Sequence, residues 1–211
     1  MILIGQYDSP FVRRVGIALT LYRLPFEHLP WSVFGDGPRL QALNPLMRVP
    51  TLVLDDGEVL IESAAMLDHL DETVGPTRAL IARSGPDRRR ALRVCALATG
   101  LADKAVALVY ERVLHKEMSS AWIDRCRTQI GGVLDALEAD RLAGAAGFWL
   151  GDTLGHADIA VACALRFTSE AHQEVFGEGF WPSLAAHTAR CEALEPFREH
   201  VQPFSVRAPK S

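Results

Sequence analysis

Cysteine is scarce in this 211-residue chain. It occurs four times, at Cys95, Cys126, Cys163 and Cys191, without a CxxC pair or other close spacing. That argues against a zinc module or a disulfide framework and points to free, mostly buried thiols in a reducing compartment. The seven histidines show no HxxxH or related spacing, so no metal is expected, and His156 and His172 read as surface or satisfied residues. Positive charge is not in excess either: 22 Lys and Arg stand against 26 Asp and Glu. There is thus no global electrostatic case for nucleic acid or an anionic membrane. The basic run Asp87 to Arg93, "DRRRALR", reads as the solvated first turns of a helix. No apolar run reaches the ~18–20 residues of a membrane span. The opening "MILIGQYDS" has too short an apolar run for a signal peptide and no basic flank. A cytoplasmic protein is the expectation.

What is present alternates strand and helix signals at first. "MILIG" is a short β-rich run, and Ser9-Pro10 opens a helix. Its apolar positions Phe11, Val15, Ala18, Leu19 and Tyr22 follow a helical period. "FEHL" reads as a second strand, and a loop from Pro30 to Pro38 leads to a possible helical turn before Asn44-Pro45. In "PTLVLDDGEVLI" two apolar runs flank Asp56-Gly57, the tight-hairpin pair. Ser63 is then placed to cap the helix "AAMLDHLDETVG". A βαβ unit followed by a ββα unit predicts a thioredoxin-like α/β domain over residues 1–75. Residues 76–86 read as a linker and 87–211 as an all-helical domain. Asp87 is placed to start a long helix reaching about Ser119. A second helix ends at Gly144, "HADIAVACALRFTSEAH" is a third and buried one, and "WPSLAAHTARCEAL" is a fourth.

Four stretches, in order and spacing, resemble the glutathione transferase family over essentially the whole chain. "SPFVRRVGIAL" is similar to the first-helix motif of serine-type members. "NPLMRVPTLVLDDG" resembles the segment leading to the family's cis-proline, here Pro50. "LIESAAMLDHL" resembles its Glu-Ser glutathione-binding corner, and "GHADIAVACAL" its buried second-domain helix. In the last motif Gly155 replaces the usual Ser or Thr, so Asp158 can form only half of a capping box. The first domain has no cysteine, which argues against members working through a mixed disulfide.

The resemblance implies glutathione as co-substrate. A free thiol has a pKa of about 8.5, so the enzyme must favour the anion. A hydroxyl donating to sulfur does this, and a helix N-terminus adds unpaired amides and a positive dipole end. Ser9 offers both, as a thiolate stabiliser or simply as an N-cap with Pro10 at the first helical position. Asp8 is an alternative cap. Tyr7 is the rival, since tyrosine-type members use a phenol from this strand end; the SPF register favours Ser9, which leaves Tyr7 as a core or substrate-facing residue. Glutathione binding is assigned by resemblance to Ser9, Phe11, Arg48, Val49, Pro50, Glu62 and Ser63. Val49 would pair with the cysteinyl backbone like an added strand. Ser63 would hold the γ-glutamyl carboxylate and Glu62 the amine. Arg48 and Arg13 are placed for the glycyl carboxylate or for a solvated face.

The second substrate is expected to be an apolar electrophile lying against the helical domain. Tyr7, Trp31, Phe34, Tyr110 and Phe167 are its candidate contacts. Asp103-Lys104 reads as a polar edge or as a ligand contact. The expected protein is a homodimeric detoxifying transferase. The alternatives are a glutathione-dependent isomerase of the maleylacetoacetate or maleylpyruvate type, a peroxidase, and a non-catalytic ligand-binding or scaffold protein.

Overall fold

A computed structural model of the chain describes residues 1–144, 147–175 and 181–205. In chain order the first elements are β1 (Ile2–Ile4), α1 (Pro10–Tyr22), β2 (Glu27–Leu29), α2 (Gly37–Leu43), β3 (Thr51–Val53), β4 (Val59–Ile61) and α3 (Ser63–Val74). Then come α4 (Gly85–Leu114), α5 (Ser120–Leu142), α6 (His156–Ala171), α7 (Pro182–Glu192) and the short α8 (Glu195–Glu199). The chain divides into two compact units. One joins Met1–Arg83 to the C-terminal segment from Glu195; the other is Ser84–Leu194.

The first unit is a four-stranded sheet in the order β2-β1-β3-β4. β1 runs parallel to β2, with Leu3 opposite His28, and antiparallel to β3, with Leu3 opposite Leu52. β3 and β4 form the expected hairpin around Asp56-Gly57, Leu52 facing Leu60. Leu3 and Leu52 bury with Val12, Val15 and Leu19 of α1 and Met66 and Leu70 of α3 in one core. Burying each such side chain contributes about 1.5–3 kcal/mol.

The C-terminal segment belongs to this unit, although the sequence suggested one helical domain from 87 to 211. The reason is a buried cation. Arg13, on α1, is only 2% exposed. Its Nε donates to the His200 carbonyl and its Nη2 to the Phe197 carbonyl, each at 2.9 Å. The last carbonyls of a helix lack intrahelical donors, and a guanidinium supplies several in a fixed fork. Arg13 is therefore neither solvated nor a ligand contact, a correction to both sequence readings.

The second unit is all-helical. α4 packs on α5 and α6, and α6 on α7. α6 is buried along nearly its whole length, as its apolar sequence predicts. Gly155 has no side chain, so only half of a capping box forms: the Gly155 amide donates to Asp158 Oδ2 at 2.8 Å. Asp158 Oδ1 accepts from the Trp149 amide at 2.6 Å. Two boundaries differ from expectation. α4 starts at Gly85 after Ser84 rather than at Asp87, and it stops at Leu114. Ser119 lies outside α4 and caps α5 instead, accepting from the Trp122 amide at 3.3 Å. His156 and His172 are buried, not at the surface, and His172 Nε2 pairs with the Ala105 carbonyl at 2.8 Å. Of the basic run, Arg90 and Arg93 form ion pairs with Asp140. No described helix is long and apolar enough to cross a membrane.

Candidate functional site

Both halves of the site are built at ends of strands. β1 is followed directly by Gly5, whose φ is +131°. A Cβ there would come within 2.5 Å of Val12 Cγ2 and 2.8 Å of Val49 Cβ. Glycine therefore lets α1 and Val49 close on the strand end. The Val49–Pro50 peptide is cis, as the resemblance implied. The loop before it is held by Asn44, which is almost wholly buried. Asn44 Nδ2 donates to the Arg48 carbonyl at 2.9 Å, and its Oδ1 accepts from the Leu46 amide at 3.0 Å. Thr51 Oγ1 adds a second bond to the Arg48 carbonyl, at 3.2 Å. Among the described residues, no main-chain hydrogen bond engages the amide or carbonyl of Val49.

On the other side, β4 turns into α3 at Glu62-Ser63. Glu62 occupies the N-cap position with φ +73°, and its side chain makes no cap bond. Ser63 is the first helical residue, one place later than its expected role as cap. Ser63 is 1% exposed, yet its Oγ has no hydrogen-bond partner among the described residues. A buried hydroxyl left unpaired costs about 1–3 kcal/mol. A non-glycine residue with positive φ costs of the same order, and such strain clusters at ligand sites. Two unfavourable features side by side at a helix N-terminus suit an anion accepting from Ser63 and the first-turn amides.

Phe11, Arg48, Val49, Pro50, Glu62 and Ser63 line one open groove. Asn44, Leu46 and Ile61 complete it and were missed in the sequence. The Asn-Pro pair was the only available signal for Asn44, and nothing local marked the other two. Ser9 is not among the lining residues, although Phe11, two residues on, is. Ser9 caps α1: its Oγ accepts from the Val12 amide at 3.4 Å, and its carbonyl accepts from the Arg13 amide at 3.0 Å. The cap is thus Ser9, not Asp8. Pro10 has no N–H, so the Phe11 amide is the remaining donor of the first turn. In the Val12 contact the Ser9 oxygen is the acceptor, so the hydroxyl proton is not used there.

None of the five aromatic candidates lines the groove. The Tyr7 ring stacks on His28 at 4.0 Å and meets His200 edge-on at 4.7 Å. Burial pushes its phenol up to about 12. Trp31 is half-buried under the Arg39 guanidinium at 5.8 Å, and Phe34 is half-buried nearby in the same loop. In the second unit Tyr110 is partly exposed on α4, and Phe167 is buried on α6. Asp103 is exposed, and the Lys104 ammonium lies 5.6 Å from the Trp122 ring. None of the four cysteines is in a disulfide, and all lie in the second unit. Burial pushes the Cys191 thiol up strongly. Among the described residues no His, Cys, Asp and Glu cluster could hold a metal ion.

Family models for the glutathione S-transferase N-terminal and C-terminal domains match residues 3–78 and 120–190. A maleylacetoacetate isomerase of Pseudomonas aeruginosa is 36% identical over 212 aligned residues, 94% of each chain. A glutathione S-transferase from Methylobacterium radiotolerans, solved with glutathione sulfonate, superposes with a TM-score of 0.87. It is 28% identical, over 98% of each chain. A bacterial maleyl pyruvate isomerase of the Zeta class superposes with a TM-score of 0.80 at 27% identity, over 98% of this chain and 100% of that one.

Proposed function

The chain belongs to the glutathione S-transferase family, and on that premise we propose that it binds glutathione in the groove of the first unit and activates its thiol with Ser9. One observation carries the reading. The partnerless Ser63 hydroxyl, left-handed Glu62 and Val49 beside a cis-proline share a single groove. Ser63 Oγ and the α3 amides receive the γ-glutamyl carboxylate, and Glu62 pairs with the amine. Val49 exchanges main-chain bonds with the cysteinyl residue, and Arg48 meets the glycyl carboxylate.

At the other end, Ser9 accepts from its own helix and donates to the sulfur. The two roles use different parts of one hydroxyl. A hydrogen bond to an anion is worth about 1.5–3 kcal/mol, which lowers a thiol pKa by about one to two pH units. The thiolate then attacks the electrophile. A sulfur–carbon bond forms, and the leaving group departs with its electron pair. In the first unit Trp31 and Phe34 remain the proposed electrophile contacts; Tyr110 and Phe167 belong to the second unit, where Phe167 is buried, and are not assigned to the electrophile. Tyr7 is left out, because His28 and His200 engage its ring.

The test is retention on immobilised glutathione together with conjugation of a chlorinated nitrobenzene. Ser9→Ala should keep retention and lower kcat. Failure to bind millimolar glutathione would refute the proposal, a result expected of a scaffold protein. Undiminished conjugation by Ser9→Ala would reduce Ser9 to a cap.

The identity to a maleylacetoacetate isomerase across 94% of the chain favours a second reading. The same thiolate would add to a cis-unsaturated diacid, allow rotation about the resulting single bond, and be expelled unchanged. Conversion of the diacid at substoichiometric glutathione distinguishes this from conjugation, which consumes one glutathione per turnover. A peroxidase would instead oxidise glutathione to its disulfide. We place the protein in the cytoplasm as a homodimer, which light scattering on the purified chain tests.

A further inference from the structure

The turn that carries Ser9 is held from the far end of the chain. Gln202 Oε1 accepts from the Tyr7 amide at 3.0 Å, across 195 residues of sequence. The Tyr7 ring lies between His28 and His200. His200 is fixed in turn: Nδ1 pairs with the Pro196 carbonyl at 2.7 Å, and its own carbonyl accepts from buried Arg13 at 2.9 Å. The fit is close, since a Cβ on Gly16 would come within 2.7 Å of both the Tyr7 and His200 rings. The Ser9 amide closes the turn onto the Gln6 carbonyl at 3.1 Å. Segment 195–205 therefore grips both the backbone and the ring of the residue two places before Ser9.

We propose that Gln202 is a positioning residue for the Ser9 hydroxyl, setting through the Tyr7 amide where that hydroxyl meets the sulfur of glutathione. The inference rests on the reading of Ser9 given above. The groove of Arg48, Val49, Glu62 and Ser63 has its own supports in Asn44, Thr51 and the α3 start. Loss of the Gln202 bond should leave glutathione affinity intact while misplacing the donor. A shift on the order of 1 Å in a catalytic group costs up to about a hundredfold in rate.

The experiment titrates the thiol of glutathione bound to the full chain, by thiolate ultraviolet absorbance, in wild type, Gln202→Leu, Gln202→Ala, Gln202→Glu and Ser9→Ala. Gln202→Leu and Gln202→Ala should raise the thiol midpoint by about one pH unit. They should lower kcat about tenfold with the glutathione KM nearly unchanged. Gln202→Glu retains a carboxylate acceptor for the Tyr7 amide and should recover most of kcat. A purely structural role would lower the melting temperature and leave the thiol midpoint in place. That result in both Gln202→Leu and Gln202→Ala, with Ser9→Ala shifting the midpoint, would overturn the role of Gln202 alone. No shift in Ser9→Ala would overturn the reading of Ser9 and this inference with it.

Discussion

Replacing Ser63 with alanine removes one oxygen from a position that is 1% exposed. In the free protein that oxygen has no hydrogen-bond partner among the described residues. A buried hydroxyl without a partner costs about 1–3 kcal/mol relative to water, so its removal relieves that cost. The cavity left by one oxygen is too small to offset it. Ser63 is also the first residue of α3, and alanine has the higher helix propensity, which adds a few tenths of a kcal/mol. Ser63→Ala should therefore stabilise the free protein by about 1 kcal/mol. The same oxygen is assigned the γ-glutamyl carboxylate, and a hydrogen bond to a charged group is worth about 1.5–3 kcal/mol. Glutathione affinity should fall by roughly tenfold to a hundredfold. The assay is paired: urea unfolding without ligand and calorimetric titration with glutathione. The two effects have opposite signs, which ordinary damage to the fold cannot produce. Loss of more than 1 kcal/mol of stability in the free protein would mean that Ser63 is already satisfied. Unchanged affinity would mean that the carboxylate is held elsewhere.

Other perturbations follow from buried groups with named partners. His187 lies 3.5 Å from Asp158 Oδ1 and 3.6 Å from Cys191 Sγ, and burial lowers its pKa from 6.5 to about 4. The unfolded chain then binds the extra proton between pH 6.5 and 4, so stability is fully present above 6.5 and is lost as pH falls toward 4. The His187 contribution is about 3 kcal/mol over that window. Burial pushes the neighbouring Asp158 carboxyl up, which acts in the opposite direction and reduces the net loss. His187→Gln should flatten the pH dependence of the urea midpoint, and an unchanged slope would contradict the assignment. Arg13→Met should cost about 2–4 kcal/mol and expose segment 195–205 to limited proteolysis, because two carbonyls lose charged donors. Arg13→Lys should recover only part of this, lacking the planar fork; full recovery would show that charge alone suffices. Asn44→Ala should weaken glutathione binding about tenfold, although Asn44 is expected to act through the Arg48 carbonyl and Leu46 amide. Unaltered binding would show that the loop holds its shape without it.

Local patterns carried much of the first unit. The Ser9-Pro10 start, the apolar period of α1 and the Asp56-Gly57 hairpin are properties of neighbours in sequence, so they were legible there. Resemblance then named residues whose grouping no local pattern reveals. Phe11, Arg48, Val49, Pro50, Glu62 and Ser63 come from three separate segments and meet in one groove only because β1, β3 and β4 are neighbouring strands. Asn44 was not singled out, since its importance lies in the two main-chain groups its amide reaches. Ser63 looked like a cap, because sequence shows the residue type but not the left-handed turn at Glu62 that moves the helix start by one place.

The sequence by itself determined that strand and helix signals alternate at first and give way to helices, that a helix begins at Ser9, and that no cysteine precedes residue 95. Only the tertiary structure decided what Arg13 and Tyr7 do. Arg13 was read as a surface or ligand contact and Tyr7 as core, substrate contact or rival of Ser9; Tyr7 packs against the core, and both are engaged by a segment some 190 residues away. Periodicity and capping depend on residues within one or two turns. A buried guanidinium on distant carbonyls, or an amide paired with Gln202, depends on a chain that leaves the first unit at Arg83 and returns to it at Glu195.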